Sequence, residues 1–214
     1  MSQPHPAAKP QRTVLEGRYA RLEPIEARHA AGLYAANAGD GEAARYRWLM
    51  SLPPADEAEL RRRLAEAAAI EDPLYFAVVD KATGLAGGQQ SLMRIEPAHG
   101  VIEIGGVLWG RGVAQTRLAT EALYLFAAYV FDTLGYRRFE WKCNDQNEPS
   151  KRAARRFGFT FEGVFRQHMI VKGENRDTAW FSIIDGEWPA IRARLEAWLA
   201  PDNFDAEGRQ RRKL

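Results

Sequence analysis

The stretch from Val101 to Gly135 combines residue types in an order that suits the binding of an anion. An apolar run, VIEIGGVLW, is followed by a turn containing Gly110 and Gly112 and then by an amphipathic segment. When a strand leads directly into a helix, the first N–H groups of the helix lack intrahelical partners, and the helix dipole adds positive potential there. The stretch therefore indicates either a site for a phosphate-bearing ligand or a core helix after a tight turn that binds nothing.

The helix within this stretch is predicted by apolar residues that recur at helical spacing, with Glu121 and Asp132 outside the stripe. The stripe consists of Leu118, Ala122, Phe126, Val130 and Leu134. Thr116 is the predicted N-cap because its hydroxyl can accept a hydrogen bond from a first-turn N–H group. Gly135 is the predicted stop because glycine readily adopts the left-handed conformation that ends many helices.

The cysteine and histidine content limits other kinds of chemistry. The single cysteine, Cys143, cannot form an internal disulfide or a cysteine-based metal site by itself. A role for it as a covalent nucleophile requires a histidine base, and none lies nearby in the sequence. His99 and His168 belong to no cluster with metal-ligand spacing, so we predict no metal site.

The composition is typical of one soluble domain. At 214 residues, 46% of them hydrophobic, the chain can bury a sizeable core. Its formal charge of +2 gives no reason to expect nucleic acid or an anionic membrane as a partner. No apolar run approaches the roughly 18 residues that span a bilayer, and the N-terminal segment lacks the apolar core of a signal peptide. Together with the single cysteine, these features lead us to expect a cytoplasmic protein.

Three regions are predicted along the chain. Residues 1–12 contain three prolines and are expected to form a disordered tail, residues 13–200 form one domain, and residues 201–214 form a polar, basic C-terminal tail. Within the domain the patterns predict a strand or small hairpin, two helices, three strands, a helix, a strand, a helix, two strands and a helix. Antiparallel strands followed by a crossover helix imply a mixed α/β sheet with one parallel pair.

Sequence segments on both sides of the predicted central helix follow a recognisable order. EIGGVLW precedes the glycine-containing loop, LGYRRFEWKCN follows the helix, and NEPSKRAARRFGF carries an Asn-x-x-Ser segment. From Val14 to Leu199 the chain resembles the GNAT superfamily of acyl-CoA-dependent N-acetyltransferases, most closely its RimJ/RimL-type branch. The resemblance implies a mixed, mostly antiparallel central sheet with a V-shaped splay and with helices on both faces.

In that family coenzyme A lies in the splay, so the resemblance implies acetyl-CoA as co-substrate and no metal. The backbone of Leu108 and Trp109 would bind pantetheine. The resemblance assigns the pyrophosphate cradle to Gln115, Thr116, Arg117, Leu118, Ala119 and Thr120. Arg117 stands where the family usually has glycine, and its side chain would crowd the phosphates, bind them or point outward. We expect it to point outward, because the groups that bind phosphate in such loops are backbone amides.

The resemblance also locates the thiol end of the cofactor. Asn147 and Ser150 occupy the Asn-x-x-Ser positions there, although both residue types also begin helices. Many family members use a tyrosine as the acid toward the departing thiolate, and the matching residue is Ala154. We therefore expect Ser150, Cys143 or a water molecule to protonate the thiolate, or the thiolate to leave unassisted.

The reaction that the resemblance implies is direct attack of a neutral amine on the thioester in a ternary complex. The N–H group of Leu108 would polarise the carbonyl. Glu103 is the candidate general base, acting directly or through water, and the alternative is an exposed carboxylate paired with a neighbouring arginine. Glu140 is the second candidate.

The resemblance implies a primary amine as the acceptor, either a protein N-terminal α-amine or a small molecule. One alternative is a catalytically weak acyl-CoA-binding module, and others are a transferase for a longer acyl donor such as succinyl-CoA and a protein that binds RNA through its basic C-terminus. Acceptor specificity is expected in residues 40–54 and in the hairpin around Gly173. A homodimer through the late hairpin is expected from the family.

Overall fold

A computed structural model describes residues 6–214, so the first five residues, including His5, lie outside the described part of the chain. The strands are β1 (Leu15–Glu16), β2 (Ala20–Pro24), β3 (Leu74–Asp80), β4 (Ala86–Glu96), β5 (Val101–Trp109), β6 (Arg138–Asn144), β7 (Thr160–Val171) and β8 (Glu174–Ile184). The helices are α1 (Ala30–Asn37), α2 (Glu42–Tyr46), α3 (Glu57–Ala67), α4 (Arg117–Ala128), α5 (Glu148–Phe157) and α6 (Trp188–Leu199). The predicted order of elements is confirmed except for α2, a short helix that the sequence does not predict, and β1 and β2 form the small hairpin.

The strands form one eight-stranded sheet in the order β1-β2-β3-β4-β5-β6-β8-β7. Neighbouring strands are antiparallel except for β5 and β6, which run parallel because α4 returns the chain to the same end of the sheet. The expected mixed, mostly antiparallel α/β sheet is therefore confirmed.

Helices cover both faces of this sheet. On one face α4 supplies the main core, where Phe126 meets Phe76 of β3 with their ring centroids 5.2 Å apart. On the other face α1 and α3 bury Leu33 and Leu60 against Val79 and its neighbours in β3 and β4. Because the apolar residues of β3 run continuously rather than alternating, that strand can be buried on both faces.

The central helix begins and ends at the predicted residues. The Thr116 hydroxyl accepts a hydrogen bond from the Leu118 N–H group at 3.2 Å, and Gly135 has a φ of 74° just beyond the helical segment. After Ala128 the helix continues as a π-helical segment, Tyr129–Thr133, which the sequence pattern does not predict.

Both predicted tails contact the rest of the described chain. The N–H groups of Ala7 and Ala8 donate to the carbonyls of Pro97 and Leu134 at 3.0 and 2.9 Å, so this part of the predicted N-terminal tail lies against the domain. In the predicted polar tail, residues 201–214, one aromatic ring is buried. Phe204 in that segment is only 7% exposed and packs on Trp198 at 5.0 Å, because one aromatic ring is enough to anchor a short polar segment to an apolar surface.

Candidate active site

A gap opens between β5 and β6 in the middle of the sheet. The two strands pair only where Val101–Ile104 lies beside Arg138–Trp141, although β5 continues to Trp109 and β6 to Asn144. The expected V-shaped splay is thus confirmed. Beyond Ile104 the backbone groups of β5 that point away from β4 have no β6 partner, so they are available to an extended ligand lying in the gap.

A bulge in β5 turns the strand away from β6. Ser91 pairs with Gly105 and Gln89 with Leu108, so two β5 residues, including Gly106, lie opposite one β4 residue. Gly106 has a φ of 58°, and a Cβ there would lie 2.8 Å from the Tyr75 ring. A glycine is therefore required at this point, both for the backbone conformation and for the close approach of Tyr75.

The loop between β5 and α4 presents unpaired N–H groups. The Gly110 carbonyl accepts hydrogen bonds from Val113 and Ala114, which tightens the turn. Among residues 6–214 no acceptor meets the backbone N–H of Gln115, Arg117 or Ala119. These groups lie at the positive end of the α4 dipole, so this loop can hold an anionic group. The arrangement fits the pyrophosphate cradle predicted from the sequence.

Arg117 is held against aromatic rings on the flank of α4. Its guanidinium lies 4.3 Å from the centroid of the Tyr19 ring and 5.4 Å from that of Phe204. This cation–π contact occupies the side chain on the hairpin side of the helix. The structure therefore favours the expectation that Arg117 points outward, and a residue other than glycine fits at this position.

Glu121 fixes the hairpin that carries Tyr19. Its buried carboxylate accepts hydrogen bonds from the N–H groups of Arg18, Tyr19 and Ala20 at 2.8, 2.6 and 2.6 Å. Sequence reasoning missed this role because the partners are about one hundred residues apart in the chain and no local pattern links them.

A second cation lies beside the first turn of α4. Arg156 of α5 donates from Nη1 to the Thr120 hydroxyl at 3.0 Å. Burial and the nearby Arg194 lower the pKa of Arg156. The sequence places Arg156 among several arginines of one helix, and only the packing of α5 beside α4 distinguishes it.

The thiol-end residues predicted from the sequence come together at the start of α5. Asn147 caps that helix by accepting from the Ser150 N–H at 3.2 Å, and Ser150 Oγ accepts from Trp141 Nε1 at 2.9 Å. Because its oxygen already accepts one bond, the Ser150 hydroxyl is oriented to donate elsewhere. Ala154 is fully buried and brings no polar group.

Cys143 lies next to this serine on the open end of β6. Burial raises the pKa of its thiol, and the hydroxyl of Ser150 and the charge of Arg176 offset part of that effect. The thiol is therefore protonated at neutral pH, which suits a proton donor and not a nucleophile.

The carboxylates beside the splay differ in how they are bound. Glu103 is 4% exposed, so the alternative of an exposed carboxylate is wrong, although the expected arginine pair is present. Its Oε2 bonds Arg94 at 2.7 Å and Lys142 at 2.9 Å. In the described chain Oε1 has no such partner, and it lies 3.7 Å from where a Cβ on Gly105 would stand. Among the described residues this oxygen is therefore left open to a ligand.

Glu140 offers no comparable oxygen. Its Oε1 bonds Arg138 at 2.7 Å and its Oε2 bonds Lys142 at 2.6 Å. The structure therefore favours Glu103 over Glu140 as a candidate base.

A cavity of about 150 Å³ lies on the α3 side of the splay. It is bounded by Leu108 and Tyr75 and by Tyr46 from the segment expected to select the acceptor. That segment contains α2, a helix the sequence did not predict. Lys172, beside Gly173 in the late hairpin, donates to the Tyr46 carbonyl at 2.9 Å, so both expected acceptor segments meet here.

Tyr75 is a polar residue at this cavity that sequence reasoning missed. Its hydroxyl lies 3.3 Å from where a Cβ on Gly106 would stand, beside the bulge. Burial raises the pKa of Tyr75, so its phenol stays a hydrogen-bond donor at neutral pH. In the sequence it lies within an apolar strand, where nothing marks it as more than a core residue.

Neither a metal cluster nor a membrane span is found in the described residues. Within residues 6–214 no three His, Cys, Asp or Glu side chains are grouped so as to hold a metal ion. Over the same range, none of the helices has the length and apolar character needed to cross a bilayer.

The splayed parallel pair beside a helix N-terminus with unpaired N–H groups is the fold that the resemblance to acyl-CoA-dependent acyltransferases predicts. The chain matches the acetyltransferase (GNAT) domain family over residues 20–160, and it therefore belongs to the GNAT family. It is an N-acetyltransferase, and enzymes of this family generally use acetyl-CoA and act on amines.

Several relatives place the chain within this family. It is 55% identical to a GCN5-related N-acetyltransferase from Brucella melitensis, with a TM-score of 0.94 and coverage of 97% of this chain and 95% of the other. It is 40% identical to a GNAT-family protein from Chromobacterium violaceum, with a TM-score of 0.81 and coverage of 88% and 94%. The uncharacterized N-acetyltransferase p20 of Bacillus licheniformis is 30% identical over 117 residues, which span 53% of this chain and 63% of that relative.

The similarity to solved structures does not identify a branch within the GNAT family. Solved structures of ribosomal-protein acetyltransferases are 19% identical to this chain, and at that level they share the fold alone. The RimJ/RimL-type assignment therefore stays a proposal.

Proposed function

We propose that the protein transfers an acetyl group from acetyl-CoA to a primary amine in a ternary complex. The observation that carries the proposal is the alignment of the splay between β5 and β6 with the unpaired N–H groups of Gln115, Arg117 and Ala119. An extended ligand with a diphosphate at one end fits this combination, because the strand backbone and the helix N-terminus each satisfy one part of it. The acetyl group would then lie beside Glu103 and the cavity.

The chemistry follows from the groups at the thiol end. The amine nitrogen forms a bond to the thioester carbon, the carbon–sulfur bond breaks, and the amine proton passes to Glu103 Oε1 directly or through water. The Leu108 N–H polarises the carbonyl. The departing thiolate takes a proton from Cys143, Ser150 or water, and Tyr75 is a further donor on the cavity side.

The acceptor in this proposal is either a small-molecule amine or a protein N-terminus. The cavity beside Tyr46 and Tyr75 is the surface that would receive it. The RimJ/RimL-type branch and a cytoplasmic location belong to the same proposal.

A homodimer is also proposed, because the edge strand β7 exposes the apolar side chains of Phe165 and Ile170 at 52% and 80%. Light scattering on the pure protein tests this oligomeric state.

The test uses a matched pair of variants in the cradle. Arg117→Pro removes an N–H group that has no acceptor among residues 6–214. Arg117 is the first residue of α4, where proline is tolerated, and Thr116 before it already has the extended backbone that proline requires of the preceding residue. Arg117→Ala removes the same side chain and keeps the N–H. We expect acetyl-CoA to bind the proline variant about tenfold more weakly than the alanine variant, since one bond to a charged phosphate is lost.

The measurements are calorimetric titration with acetyl-CoA and release of free thiol with a panel of amines. Equal affinities of the two variants would contradict the cradle. Binding to the wild type without thiol release from any amine would support the catalytically weak module instead. Release of free thiol from succinyl-CoA but not from acetyl-CoA would support the longer acyl donor.

A further inference from the structure

Arg176 of β8 is a cation without an anion. Among the described residues its guanidinium makes no hydrogen bond or ion pair, and its Nε atom is buried without an acceptor. Trp180, four residues along the same strand, also buries its indole Nε1–H without an acceptor. Buried donors that lack a partner are rare in folded proteins, because each costs free energy.

These two residues lie on the side of the sheet that carries the candidate base. Side chains two and four residues apart in a strand share a face, so Arg176 and Trp180 face the same way. Trp180 is in register with Lys142, whose Nζ lies 3.8 Å from the centroid of its ring. Arg176 lies two residues beyond Thr178, which is in register with Asn144 at the open end of β6, and Cys143, Glu103 and Arg94 are the ionisable groups that influence its pKa. Arg176 therefore lies at the mouth of the splay, where the thioester would be.

The neighbouring carboxylates are already neutralised by other cations. Glu103 bonds Arg94 and Lys142, and Glu140 bonds Lys142 and Arg138. The chain of ion pairs ends with Glu162, which bonds Arg138 and the Ser182 hydroxyl. This network contains three cations and three carboxylates, so their charges balance without Arg176. The cations are Arg94, Lys142 and Arg138, and the carboxylates are Glu103, Glu140 and Glu162. Burial is also the main cause that lowers the pKa of Arg176.

We propose that Arg176 binds a carboxylate that one of the two substrates carries close to the reacting carbon. This inference rests on the acyl transfer to a primary amine that we propose above. It narrows the acceptor if the acceptor carries the carboxylate, and it replaces acetyl-CoA as the donor if the acyl group carries it. The carboxylate belongs either to the acceptor, which is then an amino acid or a related amino-carboxylate, or to the acyl group, which is then a dicarboxylic one such as succinyl. In both cases the planar guanidinium can donate two parallel bonds to the carboxylate, and the unpaired Trp180 donor lies on the same face.

The experiment compares matched substrates with wild type, Arg176→Met and Arg176→Lys. One arm uses acetyl-CoA with amino acids and with their carboxamides, and the other uses succinyl-CoA and acetyl-CoA with a neutral amine. We expect the wild type to prefer the carboxylate in one arm only, which identifies its source. We expect kcat/KM for that substrate to fall about 10- to 100-fold in Arg176→Met and to recover in part in Arg176→Lys, while the uncharged counterpart changes little.

Thermal unfolding and acetyl-CoA titration are the controls that check whether Arg176→Met folds and keeps its cofactor site. A wild type that acetylates amines with no preference for a carboxylate in either arm would overturn the Arg176 proposal and leave the proposed function intact. If no pair of donor and acceptor reacts, the proposed function fails, and a binding titration then tests the Arg176 proposal by itself. The site is supported if the wild type binds succinyl-CoA selectively, or binds amino acids when it is saturated with CoA, and if Arg176→Met abolishes this binding. If the wild type shows neither kind of selective binding, the Arg176 proposal is overturned.

Discussion

At the scale of single residues, the two oxygens of Glu103 have different roles. Oε2 is fixed by Arg94 and Lys142, whereas Oε1 lies beside Gly105 with no ion-pair partner in the described chain. A carboxylate anchored through one oxygen keeps the other in a defined place, which is what proton transfer to a bound amine requires.

This asymmetry predicts the behaviour of two matched variants. Glu103→Gln should lower kcat about 100-fold or more and leave acetyl-CoA affinity unchanged, because the amide keeps the shape but cannot accept the proton. Glu140→Gln disturbs the same ion-pair network without touching the free oxygen, so its kcat should change little. Steady-state kinetics and acetyl-CoA titration of both variants provide the check. Equal losses in the two would assign the effect to the network and not to a base.

The sequence predicts some of these residues well and others not at all. Thr116 and Asn147 are predictable because a helix cap bonds an N–H only two or three residues away. Glu121 and Tyr75 are not, since their partners or neighbours come from distant parts of the chain and are set by packing. The site residues carried over by resemblance remain predictions, because only binding and kinetic measurements test them.

At the scale of elements, β5 has two functions that conflict. It must pair with β4 along its length and leave β6 at its far end, and the bulge at Gly106 meets both needs. The sequence predicts the bounds of β5 because its apolar run ends at Gly110. It does not predict the bulge, which depends on the ring of Tyr75 on the neighbouring strand β3.

The bulge can be tested with one methyl group. Gly106→Ala places a Cβ 2.8 Å from the Tyr75 ring at a φ of 58°, and the left-handed conformation alone costs about 1 kcal/mol or more for alanine. We expect a lower free energy of unfolding in urea and weaker acetyl-CoA binding. Gly186→Ala is the control, because its Cβ would meet nothing within 4 Å. Wild-type values for both properties in Gly106→Ala would contradict a required bulge.

At the scale of the whole molecule, the C-terminal segment packs against the rest of the chain. Phe204 packs on Trp198 and Tyr19, and the side chain of Asn203 bonds the Trp198 carbonyl at 2.8 Å. Its basic residues are also partly neutralised, since Arg209 bonds Asp205 at 2.8 Å. Composition alone marks residues 201–214 as polar, and only the tertiary contact of one ring shows where the segment packs.

The docking of this segment predicts how the fold responds to losing Phe204. Phe204→Ala removes a ring that is 7% exposed and that packs on Trp198, Tyr19 and the Arg117 guanidinium, and the cavity left behind should cost about 3 kcal/mol of unfolding free energy. Arg211→Ala, at an exposed position of the same segment, should leave that free energy unchanged. Urea unfolding followed by tryptophan fluorescence measures both, since Trp198 reports on the contact. If Phe204→Ala unfolds at the wild-type midpoint, the segment does not stabilise the domain, and Tyr19 and Arg117 beside the cradle keep their places without it.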